Sequence, residues 1–132
     1  MCRERTGMSR KKQILVIDDE AIVRASCQRT LEPAGFAVDM APDGLEGIKM
    51  LKRKKYDLVL TDLKMPNMDG LEFSGRIAKE HPDTRVMLIT GYSTLDTAIN
   101  AREKGIYYYL EKPFTPDRLL EAINEALGDE PQ

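Results

Sequence analysis

The sequence predicts an α/β domain: a five-stranded parallel sheet with helices on both faces, in the doubly wound (βα)5 arrangement. Two observations predict it. Short unbroken apolar runs, such as Ile14-Leu15-Val16-Ile17 and Val86-Met87-Leu88-Ile89, have the composition of strands buried on both faces. Between such runs lie longer segments whose apolar residues recur every three or four positions, the period of a helix with one buried stripe. Strands that alternate with helices in this way run parallel, because each parallel connection must cross over through a helix.

The first strand is Ile14 to Ile17, and it stops abruptly at Asp18-Asp19-Glu20. Val23, Cys27 and Leu31 then recur at four-residue intervals as one helical face, closed by Pro33 and Gly35. Phe36, Val38 and Met40 alternate as a second strand. Asp43-Gly44 turns the chain into a second helix striped by Leu45, Ile48 and Leu51, and Lys52 to Lys55 finish it where the helix dipole favours cations. That basic run reads as a solvated helix end rather than a nucleic-acid patch.

Leu58-Val59-Leu60 is the third strand, ending in Thr61-Asp62, and a loop with Pro66 and the turn signal Asp69-Gly70 follows. The third helix carries Leu71, Phe73 and Ile77 as core contacts. Val86 to Ile89 is the fourth strand, ending in Thr90-Gly91; the fourth helix contains Ala98, Ile99 and Ala101 and closes near Gly105. Tyr107 to Leu110 is the fifth strand, where alternation makes ordinary packing the default for each tyrosine. Thr115 as cap, Pro116 at the first helical position and Asp117 open a last helix with Leu119, Leu120, Ile123 and Leu127, ended by Gly128.

The 132 residues suit one domain with a single sizeable core and are too few for two. The domain is expected over residues 13–128, between a disordered basic tail (1–12) and a short C-terminal tail (129–132). Met8 is an alternative start. The 20 Lys and Arg against 22 Asp and Glu leave a formal charge of -2, so nothing global drives the chain onto nucleic acid or an anionic membrane. No apolar run is long enough to span a bilayer. Cys2 in the tail and Cys27 in a helical stripe read as reduced thiols, and the expected location is cytoplasmic.

In such folds ligands bind outside the carboxyl ends of the strands. The polar residues at those ends are Asp18 and Asp19, Asp62, Thr90 and Lys112. Each has a plainer reading alone: helix caps for Asp18 and Asp19, a loop acid for Asp62, a turn hydroxyl for Thr90, a solvated charge for Lys112. Their joint placement carries the inference. Clustered carboxylates repel, a hard divalent cation such as magnesium offsets the repulsion, and a carboxylate can then attack phosphorus while metal and lysine neutralise the transferring oxygens.

Asp18-Asp19, the segment Thr61-Asp62-Leu63-Lys64-Met65-Pro66-Asn67-Met68-Asp69-Gly70, Thr90-Gly91 and Lys112-Pro113-Phe114 occur in this order. The pattern resembles the receiver domain of bacterial two-component response regulators over roughly Ile14 to Leu127. The resemblance implies Asp62 as phosphoacceptor, with Mg2+ bound by Asp19, Asp62 and the backbone carbonyl of Lys64, and by Asp18 through metal-bound water. It implies that Lys112 contacts the phosphoryl oxygens, that Thr90 follows them inward, and that Tyr109 rotates toward the space Thr90 vacates. A cis bond at Lys112-Pro113 is implied too, a state found in about 5% of X-Pro bonds.

By the same resemblance the output face is the fourth helix, fifth strand and fifth helix, and Lys64 and Tyr92 flank the site and tune the lifetime of the phosphoryl group. The implied partners are a sensor histidine kinase or phosphotransfer protein and a downstream effector, with a phosphorylation-driven homodimer left open and no direct contact with nucleic acid or membrane. The domain would not be an enzyme on other substrates; it would catalyse only its own phosphoryl transfer and dephosphorylation.

Ile89 to Thr94 and Tyr109 to Phe114 are most similar to receivers that precede ATPase-type, enhancer-binding transcription activators. The expectation is therefore a fragment of a larger regulator or hybrid kinase, with a stand-alone receiver as the alternative. Three rival readings fit less well. An aspartyl-nucleophile phosphohydrolase resembles a second acid two residues after the first, where this chain has Lys64. A flavodoxin-like cofactor carrier has the same sheet topology, but Asp18-Asp19-Glu20 would repel its phosphate. A degenerate receiver kept only for protein interaction would not need the whole site set.

Overall fold

The computed structural model describes residues 11–64, 69–91, 95–103, 105–106 and 108–128, with the side chains of 95–98 excluded. Most of both tails, the Pro66 loop, Tyr92, Tyr107 and the Ala98 side chain lie outside the described residues. The elements are β1 (Gln13–Ile17), α1 (Ala21–Leu31), β2 (Ala37–Ala41), α2 (Gly44–Arg53), β3 (Leu58–Asp62), α3 (Gly70–Glu80), β4 (Arg85–Thr90), α4 (Leu95–Glu103), β5 (Tyr108–Glu111) and α5 (Pro116–Gly128). All strand pairs are parallel, in the order β2-β1-β3-β4-β5. The alternation of apolar runs and helical stripes thus produces the expected doubly wound sheet.

Successive residues of a strand point to opposite faces, and the two faces build two cores. On one, Ile14, Val16, Leu58, Leu60, Met87, Ile89 and Leu110 pack against Cys27 and Leu31 of α1 and Leu119, Ile123 and Ala126 of α5. On the other, Leu15, Ile17, Val59, Val86 and Leu88 meet Leu51 of α2, Phe73 and Ile77 of α3, and Ala101 of α4. Each fully buried Leu or Ile contributes roughly 1.5–3 kcal/mol relative to exposure, so the sheet is held from both sides.

The helix starts use side-chain oxygens to satisfy free backbone N–H groups. Asp43 accepts from the Glu46 N–H at 2.9 Å, Asp69 from the Leu71 N–H at 2.9 Å and Thr115 from the Arg118 N–H at 3.1 Å. Helix α1 differs: its N-cap is Glu20, with no side-chain cap hydrogen bond among the described residues.

One stripe residue departs from expectation: Leu45 is 48% exposed. The buried side of α2 is formed by Gly44, Gly47 and Leu51. A Cβ on Gly47 would meet Ile17 Cδ1 at 2.5 Å, so the glycine lets the helix lie close on the sheet. Cys27 is buried and free, and burial, helped by the nearby Asp18 charge, pushes its thiol up to about 11. Gly35, at φ 101°, takes the left-handed conformation that ends the α1 connection.

Candidate functional site

Sheet register brings the strand-end residues together. Ile17 pairs with Thr61, Asp62 with Ile89 and Thr90 with Glu111. Asp18, Asp62, Thr90 and Lys112 therefore follow or occupy adjoining ladder positions along one carboxyl edge. The strand order reverses between β1 and β3, which places the acids at the crevice where doubly wound sheets bind ligands.

Asp18 is fully buried and Asp62 only 8% exposed. Asp18 Oδ1 accepts from the Glu20 N–H at 2.9 Å, so this acid serves the turn and the plain helix-cap reading does not hold. Lys112 Nζ lies 3.0 Å from Asp18 Oδ2, 3.1 Å from Asp62 Oδ2 and 3.2 Å from Glu20 Oε1. The ammonium is the charged partner of the buried Asp18 Oδ2. Burial raises the Asp18 carboxyl, against the lowering effect of the Glu20 N–H and the Lys112 ammonium. Burial alone would lower Lys112, but Asp18 and Asp62 outweigh it and hold the ammonium above the ordinary lysine range.

Oxygens of Asp18, Asp19, Glu20 and Asp62 can all lie within 4.8 Å of one another. An all-oxygen, multiply negative donor set suits a hard divalent cation such as magnesium. Four carboxylates share one lysine there, so the donor set present fits such an ion. Glu20 belongs to this cluster and was not among the expected ligands, although its place directly after Asp18-Asp19 was a usable signal. At Lys64 the backbone N–H donates to Asp62 Oδ1 at 3.2 Å, steadying that carboxylate from the loop side.

Thr90 is 2% exposed at the end of β4, and its carbonyl accepts from the Lys112 N–H at 2.9 Å. Tyr109 pairs with Leu88, two residues before Thr90, so Tyr109 and Thr90 project to the same face of adjacent strands. Burial raises the Tyr109 phenol. Tyr108 projects the other way and packs on the α1 and α5 core. The Lys112-Pro113 peptide bond is cis. A groove of about 500 Å³ runs along Tyr109, Glu111, Pro113, Phe114 and Arg118.

Fold and rim together define a doubly wound α/β domain with an acidic site, served by one lysine, at the carboxyl edge of its sheet. The family described as response regulator receiver domain matches residues 14–124. The chain is 35% identical over 114 residues to the transcriptional regulatory protein GlrR of Escherichia coli K12, covering 86% of this chain and 26% of GlrR. It superposes with a TM-score of 0.86 on a CheY-like receiver domain protein from Methanospirillum hungatei JF-1, at 32% identity and covering 90% and 95% of the two chains. A beryllofluoride-activated NtrC4 receiver domain dimer matches at a TM-score of 0.82 and 37% identity, covering 88% of this chain and 96% of that one. The chain belongs to the response regulator receiver family. It spans about a quarter of the length of the curated relatives it matches, 26% for GlrR. Among the described residues no helix is long and apolar enough to cross a membrane.

Proposed function

We propose that this receiver domain works in the cytoplasm as a switch that takes a phosphoryl group onto Asp62 from a sensor histidine kinase or phosphotransfer protein. The observation that carries this reading is the placement of Asp62: nearly buried, within the four-carboxylate cluster, with Lys112 Nζ 3.1 Å from Oδ2. An Asp62 oxygen attacks phosphorus, the new O–P bond forms as the N–P bond of the donor phosphohistidine breaks, and the imidazole leaves with that electron pair. A magnesium ion held by Asp18, Asp19, Asp62 and the Lys64 carbonyl would neutralise charge on the transferring oxygens. Glu20 is close enough to join them.

Lys112 then pairs with a phosphoryl oxygen in place of the Asp62 carboxylate, and the Thr90 hydroxyl donates to another. The new dianion is better bonded in one loop arrangement than another, which shifts the population of states. Tyr109, on the same face as Thr90, carries the change to the surface of α4, β5 and α5. That surface contacts a downstream effector domain or protein, or a second copy of the chain; the activated NtrC4 receiver dimer supports the latter as one route. The domain catalyses only its own phosphorylation and dephosphorylation and leaves nucleic acid to its effector.

Intact mass after incubation with acetyl phosphate, with and without magnesium, on wild type and Asp62→Asn, tests the proposal. One phosphoryl adduct that requires both magnesium and Asp62 is the expected result. Labelling of Asp62→Asn at the wild-type rate would sink the assignment of the acceptor. If wild type binds magnesium and shows no adduct, beryllofluoride binding separates a short-lived phosphoryl state from a pure interaction module.

A further inference from the structure

Arg24 sits at the fourth position of α1, a helix with no acidic residue in its first turn. The positive end of a helix dipole disfavours a cation there. Its guanidinium reaches back out of the helix, and Nη1 donates to the Asp18 carbonyl oxygen at 2.7 Å, the length of a charge-assisted hydrogen bond. The Arg24 backbone N–H donates to the Glu20 carbonyl at 3.2 Å. One residue therefore holds both ends of the tripeptide Asp18-Asp19-Glu20. On its other side Asp18 is tied to the sheet by its own N–H, which donates to the Ala41 carbonyl at 3.2 Å. This helix start has no side-chain cap among the described residues, and the arginine ties down the loop before it through a carbonyl.

We propose that Arg24 is a positioning residue for the acidic loop: by gripping the Asp18 carbonyl it sets the spacing of the Asp18, Asp19 and Glu20 carboxylates, and with it the affinity for a divalent cation. The inference rests on the reading of the rim as a magnesium-dependent acceptor site. Arg24 acts through the main chain and touches neither the acceptor nor the transferring group. Groups that orient ligands from behind typically change metal affinity about 10–100-fold when removed.

The test is a magnesium titration of the full chain followed by amide chemical shifts, on wild type, Arg24→Met and Arg24→Lys. Methionine keeps an apolar stem over the helix and removes the donors; lysine keeps a charged donor. The expected result is a magnesium dissociation constant about tenfold higher for Arg24→Met, with Arg24→Lys in between. Acetyl phosphate labelling should need correspondingly more magnesium to half-saturate, yet reach the wild-type rate at saturation. A merely structural role would not divide the effect in that way. Arg24→Met that folds and binds magnesium as tightly as wild type overturns the proposal, as does a lowered saturating rate with unchanged affinity. A wild type that binds no magnesium overturns the reading of the site itself, and that arm is decided before any variant is compared.

Discussion

Lys112 and Asp62, 50 residues apart in the chain, meet at 3.1 Å across the carboxyl edge of the sheet. The same ammonium lies 3.0 Å from the fully buried Asp18, so one cation compensates two carboxylates that folding forces together.

Replacing Lys112 by Met should therefore act in opposite directions on stability and on metal affinity. Without metal the variant should lose roughly 2–3 kcal/mol, less than for a fully buried pair because part of the lysine side chain reaches solvent. The folded-state value of Lys112 is raised, so its contribution is fully present below the ordinary lysine value of 10.5 and is lost only as pH rises through the higher folded value. The deficit should be constant across neutral pH. Magnesium should bind the variant several-fold more tightly, since a competing cation is gone, and denaturation with and without magnesium reads both effects.

Gly70 opens α3 against the backbone of Asp62 and Leu63. A Cβ there would collide with the Asp62 carbonyl oxygen and lie 2.6 Å from the Leu63 carbonyl oxygen, both backbone atoms that cannot turn aside. Gly70→Ala should cost roughly 1–3 kcal/mol, and should slow acetyl phosphate labelling because the strain falls on the residue proposed to react. At Gly47 the nearest obstacle is the flexible end of Ile17, and alanine gains about 1 kcal/mol of helix propensity. Gly47→Ala should leave labelling near wild type.

Away from the site, the Tyr56 hydroxyl donates to Asp39 Oδ2 at 2.6 Å and Lys54 Nζ approaches the same oxygen at 2.9 Å. Burial would raise the Asp39 carboxyl, but the tyrosine hydrogen bond and the lysine outweigh it and hold it below the ordinary range. A depressed carboxylate contributes stability above its unfolded value and loses it as pH falls through the lower folded one. Asp39→Asn should cost about 1 kcal/mol or less at neutral pH, given its partial exposure. The difference from wild type should vanish in acid. A urea-midpoint series from neutral to strongly acid pH checks it.

Strands β1, β3 and β4 were legible because strands covered on both faces read as unbroken apolar runs. Edge strand β2 was legible only by alternation, since its residues Ala37 to Met40 are half-buried. Leu45 misled because spacing marks a stripe without saying how close the helix sits, and at α2 the glycines took the buried side. The rim residues were legible because each closes an apolar run, and the fold alone then gathers them. The Arg24 tether left no trace, since a side chain bonded to a backbone carbonyl imposes no residue type on its partner. The Asp39–Tyr56 pair spans 17 positions and links a strand to a loop, beyond any local periodicity.

The strand order puts Asp62 on the middle strand, laddered on both sides, whereas Lys112 follows β5, an outermost strand with a neighbour on one side only. On the proposed reading, the phosphoryl group is thus received on a strand braced by two ladders and answered from an edge strand held by one. A margin strand can shift by breaking one ladder rather than two. On that reading a response at β5 leaves the ladders between the interior strands closed.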